Sequence, residues 1–295
     1  MAAHIRRGLL LAAALVLCIA AAGPLRAQGA PGVPSASGVH VQRTDRAEID
    51  YSNTQDGYVM VRFTAGTSKK LKAQVRGPST TYTYTIQPGS WVAFPLSDGE
   101  GDYQVTVFEN VADTRYAAVA SAGFPVKLRD EFAPFLCSNQ YVNYADAPQT
   151  VAKAAELTAD QTNVLSKVKA VYDFVVTGFG YDTDLASSVQ SGYLPDLDQV
   201  LQKRRGICFD YASMMAGMLR SQGVPCKLVV GYAGTAYHAW ISVWSPETGW
   251  VEGVVFFNGA SWQRMDPTFA SSANQSAAIL QYIGDGSNYT AKYFY

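Results

Sequence analysis

Cys208 opens a stretch in which Phe209, Ala212, Met215, Ala216 and Leu219 recur at helical spacing. The pattern places this cysteine second or third in a helix. Backbone N–H groups at a helix start are unpaired and carry a partial positive charge. Both effects favour thiolate over thiol, the form that attacks electrophiles. The same N–H groups can hold the oxyanion formed when a thiolate adds to a carbonyl. A cysteine here can equally be a buried, inert core residue. His238 tilts the balance. It lies in Tyr237-His238-Ala239-Trp240-Ile241, on a predicted strand beyond the helix. A neutral imidazole can take the proton of Cys208 and later pass it to a leaving group. Of the three histidines, His4 falls in an N-terminal leader and His40 in a Gly/Pro/Ser-rich tail, so imidazole chemistry must use His238. The competing reading is a core histidine with its hydrogen bonds satisfied. Asp266, before Pro267, can accept a bond from the second imidazole nitrogen and fix its tautomer. It can also simply start an Asp-Pro turn, and local sequence favours neither.

These residues need elements to hold them. Gly223 and Pro225 stop the helix that Cys208 begins. Strands are expected over 227–232, 236–244 and 262–266. Residues 151–157 and 164–176 read as helices, the second with Val164, Val168, Val171, Tyr172 and Val175 on one face. Residues 178–198, rich in Gly, Ser and Asp, read as a loop. A buried helix followed by antiparallel strands makes 129–295 an α+β domain. Residues 39–128 look all-β. Alternation at 58–63, 71–75 and 101–108 and a Thr/Tyr run at 80–86 are punctuated by turns at 77–78, 88–89 and 98–99. Five to seven short strands suggest a small immunoglobulin-like β-sandwich, a binding or spacer module without visible chemistry.

Residues 1–27 read as a signal peptide: Arg6 and Arg7, an apolar run from Leu9 to Ala22, and a small residue at Ala27 before the cut. Residues 28–38 form a flexible leader. Without the three arginines of the signal, 20 basic residues face 24 acidic ones, a formal charge of about −4. A mildly acidic chain lacking a basic stripe is not built for nucleic acid. No second apolar stretch approaches the ~20 residues that span a bilayer. The mature protein is expected to be secreted or held in the cell envelope. Cys137, Cys208 and Cys226 then remain, an odd number that leaves one free thiol. A Cys137–Cys226 disulfide, permitted outside the cytoplasm, would make Cys208 that thiol. No Cys-x2-Cys or His-x3-His pair anchors a metal, and no Gly-rich phosphate loop is present, so no cofactor is expected.

Gly206-Ile207-Cys208, Gly223-Val224-Pro225, Val229-Val230-Gly231-Tyr232, His238-Ala239-Trp240 and Met265-Asp266-Pro267-Thr268 together resemble the transglutaminase-like cysteine enzyme superfamily. The core of the resemblance runs from about Tyr172 to Phe269. It implies a papain-like α+β core with Cys208 as nucleophile, His238 as base and acid, and Asp266 as orienter. It also implies a second oxyanion donor upstream of the cysteine, for which Tyr181, Gln190 and Tyr172 are candidates that no motif separates. Trp240 and Tyr211 are expected to pack beside the triad, while Asp210 suits the first turn through the helix dipole. The stretch between Trp250 and Asp266 departs from the family in being longer and more apolar, with Val254-Val255-Phe256-Phe257 at its centre.

The expected activity is acyl transfer from amide bonds of a protein or peptide substrate through a thioester, most simply to water. Alternatives are transfer to an amine, as in protein cross-linking, and a non-catalytic scaffold whose β-domain holds a cell-wall or envelope component. A nucleophilic Cys208 should be alkylated by iodoacetamide near neutral pH faster than an ordinary free thiol, as peptide mass spectrometry of the native protein would read. Equal rates would remove the catalytic expectation.

Overall fold

The structure, a computed structural model, describes residues 32–251, 255–257, 262–264 and 289–295, the two short stretches 255–257 and 262–264 by backbone alone. The expected signal peptide, the start of the leader and Asp266 lie outside the described residues.

The strand-rich region has eight strands: β1 (Val41–Arg43), β2 (Ala47–Asp50), β3 (Tyr58–Phe63), β4 (Leu71–Arg76), β5 (Thr81–Ile86), β6 (Val92–Pro95), β7 (Gly101–Ala112) and β8 (Arg115–Val126). They form two four-stranded sheets, β1-β2-β3-β6 and β5-β4-β7-β8, with every ladder antiparallel. Alternation sets the faces, as a side-chain period of two demands. Leu71, Ala73 and Val75 of β4, Tyr82, Tyr84 and Ile86 of β5, and Tyr103, Val105 and Val107 of β7 point into the shared core. Thr81, Thr83 and Thr85 face outward. β1 and β2 are too short to show a period, and β8 is rich in alanine, a weak strand former, so sequence pattern understates the strand count.

The following region contains α1 (Pro148–Thr158), α2 (Val164–Gly178), β9 (Gly180–Tyr181), α3 (Thr183–Ser188), α4 (Leu197–Lys203), β10 (Arg205–Gly206), α5 (Cys208–Ser221), β11 (Cys226–Ala233), β12 (Ala236–Ser245), β13 (Gly249–Val251), β14 (Val255–Phe257), β15 (Trp262–Arg264) and β16 (Tyr289–Phe294). The chain is therefore α+β, with a β-sandwich ahead of a helix-and-sheet core. α3, inside the stretch expected to be loop, is a six-residue helix capped by Asp182, whose side chain accepts the Leu185 N–H. The core sheet runs β13-β12-β11-β16, and α5 packs on β11 and β12 with α1, α2 and α4 around it. Every residue of α5 from Asp210 to Arg220 is buried. At Gly217 a Cβ would stand 2.8 Å from Leu197 Cδ1, so α4 approaches the helix closely there.

The sandwich and the core are joined by more than a linker. The Gln140 N–H donates to the Ala93 carbonyl on β6 (3.2 Å), and Gln140 Nε2 donates to the Thr85 carbonyl on β5 (2.7 Å). Aromatic rings continue the contact. Tyr84 meets Tyr141 (5.5 Å between centroids) and Tyr295 (5.8 Å), and Tyr141 meets Phe209, the second residue of α5 (5.3 Å). Arg220, buried near the end of α5, donates to the carbonyls of Cys226 (2.8 Å), Cys137 (2.8 Å) and Tyr295.

Cys137, Cys208 and Cys226 are all free thiols. This corrects the expected Cys137–Cys226 disulfide. One guanidinium ties the two backbones, but the side chains enter separate apolar clusters: Cys137 packs with Tyr58, Met60 and Ala93, Cys226 with the core around α5. Burial pushes the thiol of Cys137 up to about 11 and that of Cys226 up to about 12, and it raises Tyr82 and Tyr141 to about 12.

Two predictions follow from this packing. A buried acid with a raised pKa stabilises fully below its unfolded value and loses that contribution as pH climbs toward the folded value. Stability should therefore decline above about pH 8.5, by roughly 1–2 kcal/mol per thiol by pH 10. Urea midpoints at the two pH values measure the decline, and a Cys137→Val/Cys226→Val variant should show a shallower one. At Gly231 on β11 a Cβ would fall 2.1 Å from the Thr290 carbonyl oxygen on β16. Gly231→Ala should cost about 2 kcal/mol or more in denaturant unfolding, because the β11–β16 ladder must part.

Candidate active site

The start of α5 is shaped by the residues just ahead of it. Arg204 ends α4 in the left-handed region (φ 50°) and turns the chain into β10. β10 pairs in parallel with β9, Gly206 opposite Tyr181, and the Asp182 N–H donates to the Gly206 carbonyl (2.9 Å). Ile207 is extended and forms the N-cap, so Cys208 is the first helical residue, one or two places earlier than the periodicity implied. The first intrahelical bond runs from the Tyr211 N–H to the Ile207 carbonyl (3.1 Å). The N–H groups of Cys208, Phe209 and Asp210 therefore stand ahead of the helical ladder.

The cap is made from the third helical position. Asp210 is fully buried, and its Oδ2 accepts the Ile207 N–H (2.8 Å) while Oδ1 accepts the Tyr193 hydroxyl (2.7 Å). Ile207, with no polar side chain, cannot return the bond. Burial raises the Asp210 carboxyl above the usual carboxylate range, against the two bonds that favour its charge. Gly206 permits this fold-back: a Cβ there would stand 2.8 Å from the Asp210 Cβ. Cys208 itself is half-buried, the most exposed of the three thiols.

His238 is the third residue of β12 and pairs with Gly231 on β11. It is 6% exposed, with its ring 6.2 Å from Trp240 in a stacked arrangement and 6.3 Å from Tyr289. Topology sets where it lies relative to the cysteine. α5 climbs 14 residues back from Ser221 to Cys208, roughly 20 Å of helix. β11 starts just past the end of α5, runs the opposite way, and covers roughly 17 Å between Cys226 and Gly231. Because α5 packs on β11 and β12, His238 and Cys208 belong to the same end of the layer.

The other sequence-derived candidates part company. Tyr181 sits on β9 in register with Gly206, two residues before Cys208, and is half-buried. Tyr172 is buried within α2. Gln190 follows α3, its Nε2 donating to the Ser188 carbonyl (2.8 Å). Trp240 packs beside His238 and edge-on to Tyr289 (5.2 Å). Tyr211 is buried, its ring edge-on to Phe179 (6.2 Å). Backbone ladders join β14 to β15, with β14 near α2, in the long apolar stretch noted in the sequence. Sequence reasoning missed the Tyr193–Asp210 bond. A carboxylate at the third helical position is a readable capping signal; a tyrosine 17 residues upstream is not. Among the described residues, no three His, Cys, Asp or Glu side chains converge as a metal site, and no helix is long and apolar enough to cross a membrane.

A thiol at a helix start and an imidazole at the same end of the adjoining sheet can perform nucleophilic attack on a carbonyl with proton transfer. Residues 151–267 match the model of the Transglutaminase-like superfamily. YebA of Bacillus subtilis, an uncharacterized protein, is 31% identical over 148 residues, 43% of this chain and 20% of the relative. A protein-glutamine gamma-glutamyltransferase of Pseudomonas aeruginosa is 35% identical over 109 residues, 32% of this chain and 14% of that protein. The matched stretches thus span a fifth or less of these two relatives. Among solved structures, the periplasmic domain of TgpA from Pseudomonas aeruginosa aligns at 20% identity with a TM-score of 0.37, covering 82% of this chain and 78% of that one. Red sea bream transglutaminase aligns at 12% identity with a TM-score of 0.31, covering 72% of this chain and 48% of its own. Through residues 151–267, the chain is thus similar to the Transglutaminase-like superfamily.

Proposed function

We propose that this protein is a thiol-dependent acyl-transfer enzyme acting on amide bonds of protein or peptide substrates outside the cytoplasm. The observation that carries the reading is Cys208 at the first position of a buried helix, half-exposed, with N–H groups of the first turn ahead of the ladder. His238 removes the thiol proton, and the thiolate adds to the carbonyl carbon. Backbone N–H groups at the helix start stabilise the oxyanion. The C–N bond then breaks, the imidazolium protonates the departing amine, and a thioester remains. His238 next deprotonates the acceptor, which attacks the thioester and releases the Cys208 thiolate. Asp266 orients the imidazole. Tyr181 is the best-supported second oxyanion donor, because its β9 register keeps it beside Gly206. Water is the simplest acceptor, since excluding it requires a built tunnel, and this makes the enzyme a peptidase or amidase. Similarity to the protein-glutamine gamma-glutamyltransferase of Pseudomonas aeruginosa favours an amine acceptor as the second reading. The β-sandwich is proposed to hold an envelope or cell-wall component, and the N-terminal signal pattern supports export.

Cys208→Ala and His238→Ala should each lower kcat by about 10³-fold or more with unchanged thermal unfolding. A peptide-release assay run beside labelled-amine incorporation separates the acceptors. Release without incorporation excludes cross-linking, incorporation without release excludes hydrolysis, and full turnover in either variant overturns the enzyme reading.

A further inference from the structure

Asp210 and Tyr193 lie behind the nucleophile. Residues two apart on a helix project about 200° apart around its axis, so Asp210 leaves the first turn on the side away from Cys208. There its carboxylate holds the Ile207 N–H, the peptide unit that leads into Cys208, and receives the Tyr193 hydroxyl. Both bonds are direct, and the carboxylate is fully buried. The charged groups facing this pair are Asp182 after β9, Lys203 at the end of α4 and, toward Tyr193, Asp196. Arg205 pairs with Asp182 (3.1 Å) and Asp184 (3.1 Å). Burial and the surrounding carboxylates push the Tyr193 phenol up, so it stays a donor throughout the working pH range.

Gly192 (φ 93°), the residue before Tyr193, faces β5 across a gap in which an added Cβ would stand 3.6 Å from the Thr85 side chain. The Thr85 carbonyl is the one that accepts Gln140 Nε2. A continuous series of hydrogen bonds runs from Tyr193 through Asp210 to the Ile207 N–H, next to Cys208.

We propose that Asp210 and Tyr193 are positioning residues for Cys208, which fix the placement and charge state of the nucleophile. The proposal rests on the reading of Cys208 as that nucleophile. The buried carboxylate opposes formation of a second negative charge on the neighbouring sulfur, and the Tyr193 hydroxyl offsets that opposition by drawing on the carboxylate. The two residues thus act on the thiolate in opposite directions, which a role in packing alone would not produce.

The test reads the sulfur directly. Iodoacetamide alkylation rates of the Cys208 peptide are measured by mass spectrometry across pH in the native full chain, with melting temperatures alongside. Asp210→Asn keeps an acceptor for the Ile207 N–H and an amide to donate to the Tyr193 oxygen, but removes the charge. Its half-maximal pH should fall by about half a unit, while that of Tyr193→Phe should rise by a similar amount. Opposite shifts with little change in melting temperature support the proposal. Unchanged profiles, or shifts in the same direction, overturn it and leave a reactive wild-type Cys208 standing as nucleophile. Should Asp210→Asn fail to fold, Tyr193→Phe alone decides, and an unshifted profile overturns the proposal. A wild-type Cys208 that reacts no faster than in the denatured chain overturns the nucleophile reading, and this one with it.

Discussion

The rest of the structure depends on the fixed start of one buried helix. A helix end in the interior leaves backbone donors without partners, which is costly unless something accepts them. In this chain the Asp210 carboxylate folds back to take the N–H of Ile207, while the donors of the first helical residues stand next to a half-exposed sulfur. The same feature is a folding problem and a chemical opportunity. A serine or aspartate at the cap position would settle the first by covering the donors from in front. With Ile207 as cap and the carboxylate at the third helical position, the polar group takes the Ile207 N–H and leaves the N–H groups of Cys208, Phe209 and Asp210 ahead of the ladder.

That arrangement needs rigid support, because misplacement by about an ångström at a reacting atom is expensive in rate. The supports come from three directions. β11 and β12 provide the floor, with Gly231 allowing β16 to close on the sheet opposite His238. The short parallel pairing of β9 with β10 anchors the approach to the cysteine. The β-sandwich reaches the helix start through Tyr84 and Tyr141 to Phe209. A region read from sequence as a binding or spacer module is thus packed against the start of α5.

The parts legible in the sequence were those whose signals are local. Helix α5 could be placed because Phe209, Ala212, Met215 and Leu219 repeat and Gly223-Val224-Pro225 stops them, and β4, β5 and β7 because they alternate. Cys208 and His238 stood out by chemistry and scarcity. What stayed hidden was non-local. β16 pairs with β11 across more than 50 residues, and nothing in Tyr289–Phe294 announces its partner. α3 is held by a single Asp182 cap in a stretch whose glycines and serines argue for loop. The reduced state of Cys137 and Cys226 depends on which apolar cluster each side chain enters, a matter of three-dimensional packing that cysteine counting cannot reach.

The two buried charges of α5 show how the helix is held at both ends without an ion pair between them. Asp210 lies in the first turn and Arg220 in the last, each at the end where its sign complements the helix dipole. A buried salt bridge would fix these side chains to one another; here each is spent on the backbone. Asp210 takes an N–H ahead of the helix, and Arg220 serves carbonyls on the segment after the sandwich, at the start of β11 and beside β16. Backbone partners are shared by ladders and turns that cannot shift alone, so each charge ties the helix to a whole element. Removing either would leave a buried peptide group unpaired, at a cost of about 1–3 kcal/mol per group. An apolar side chain of the same shape would retain the packing and lose the tie, so the polar groups contribute fixity at the two ends of the helix beyond what the apolar core provides.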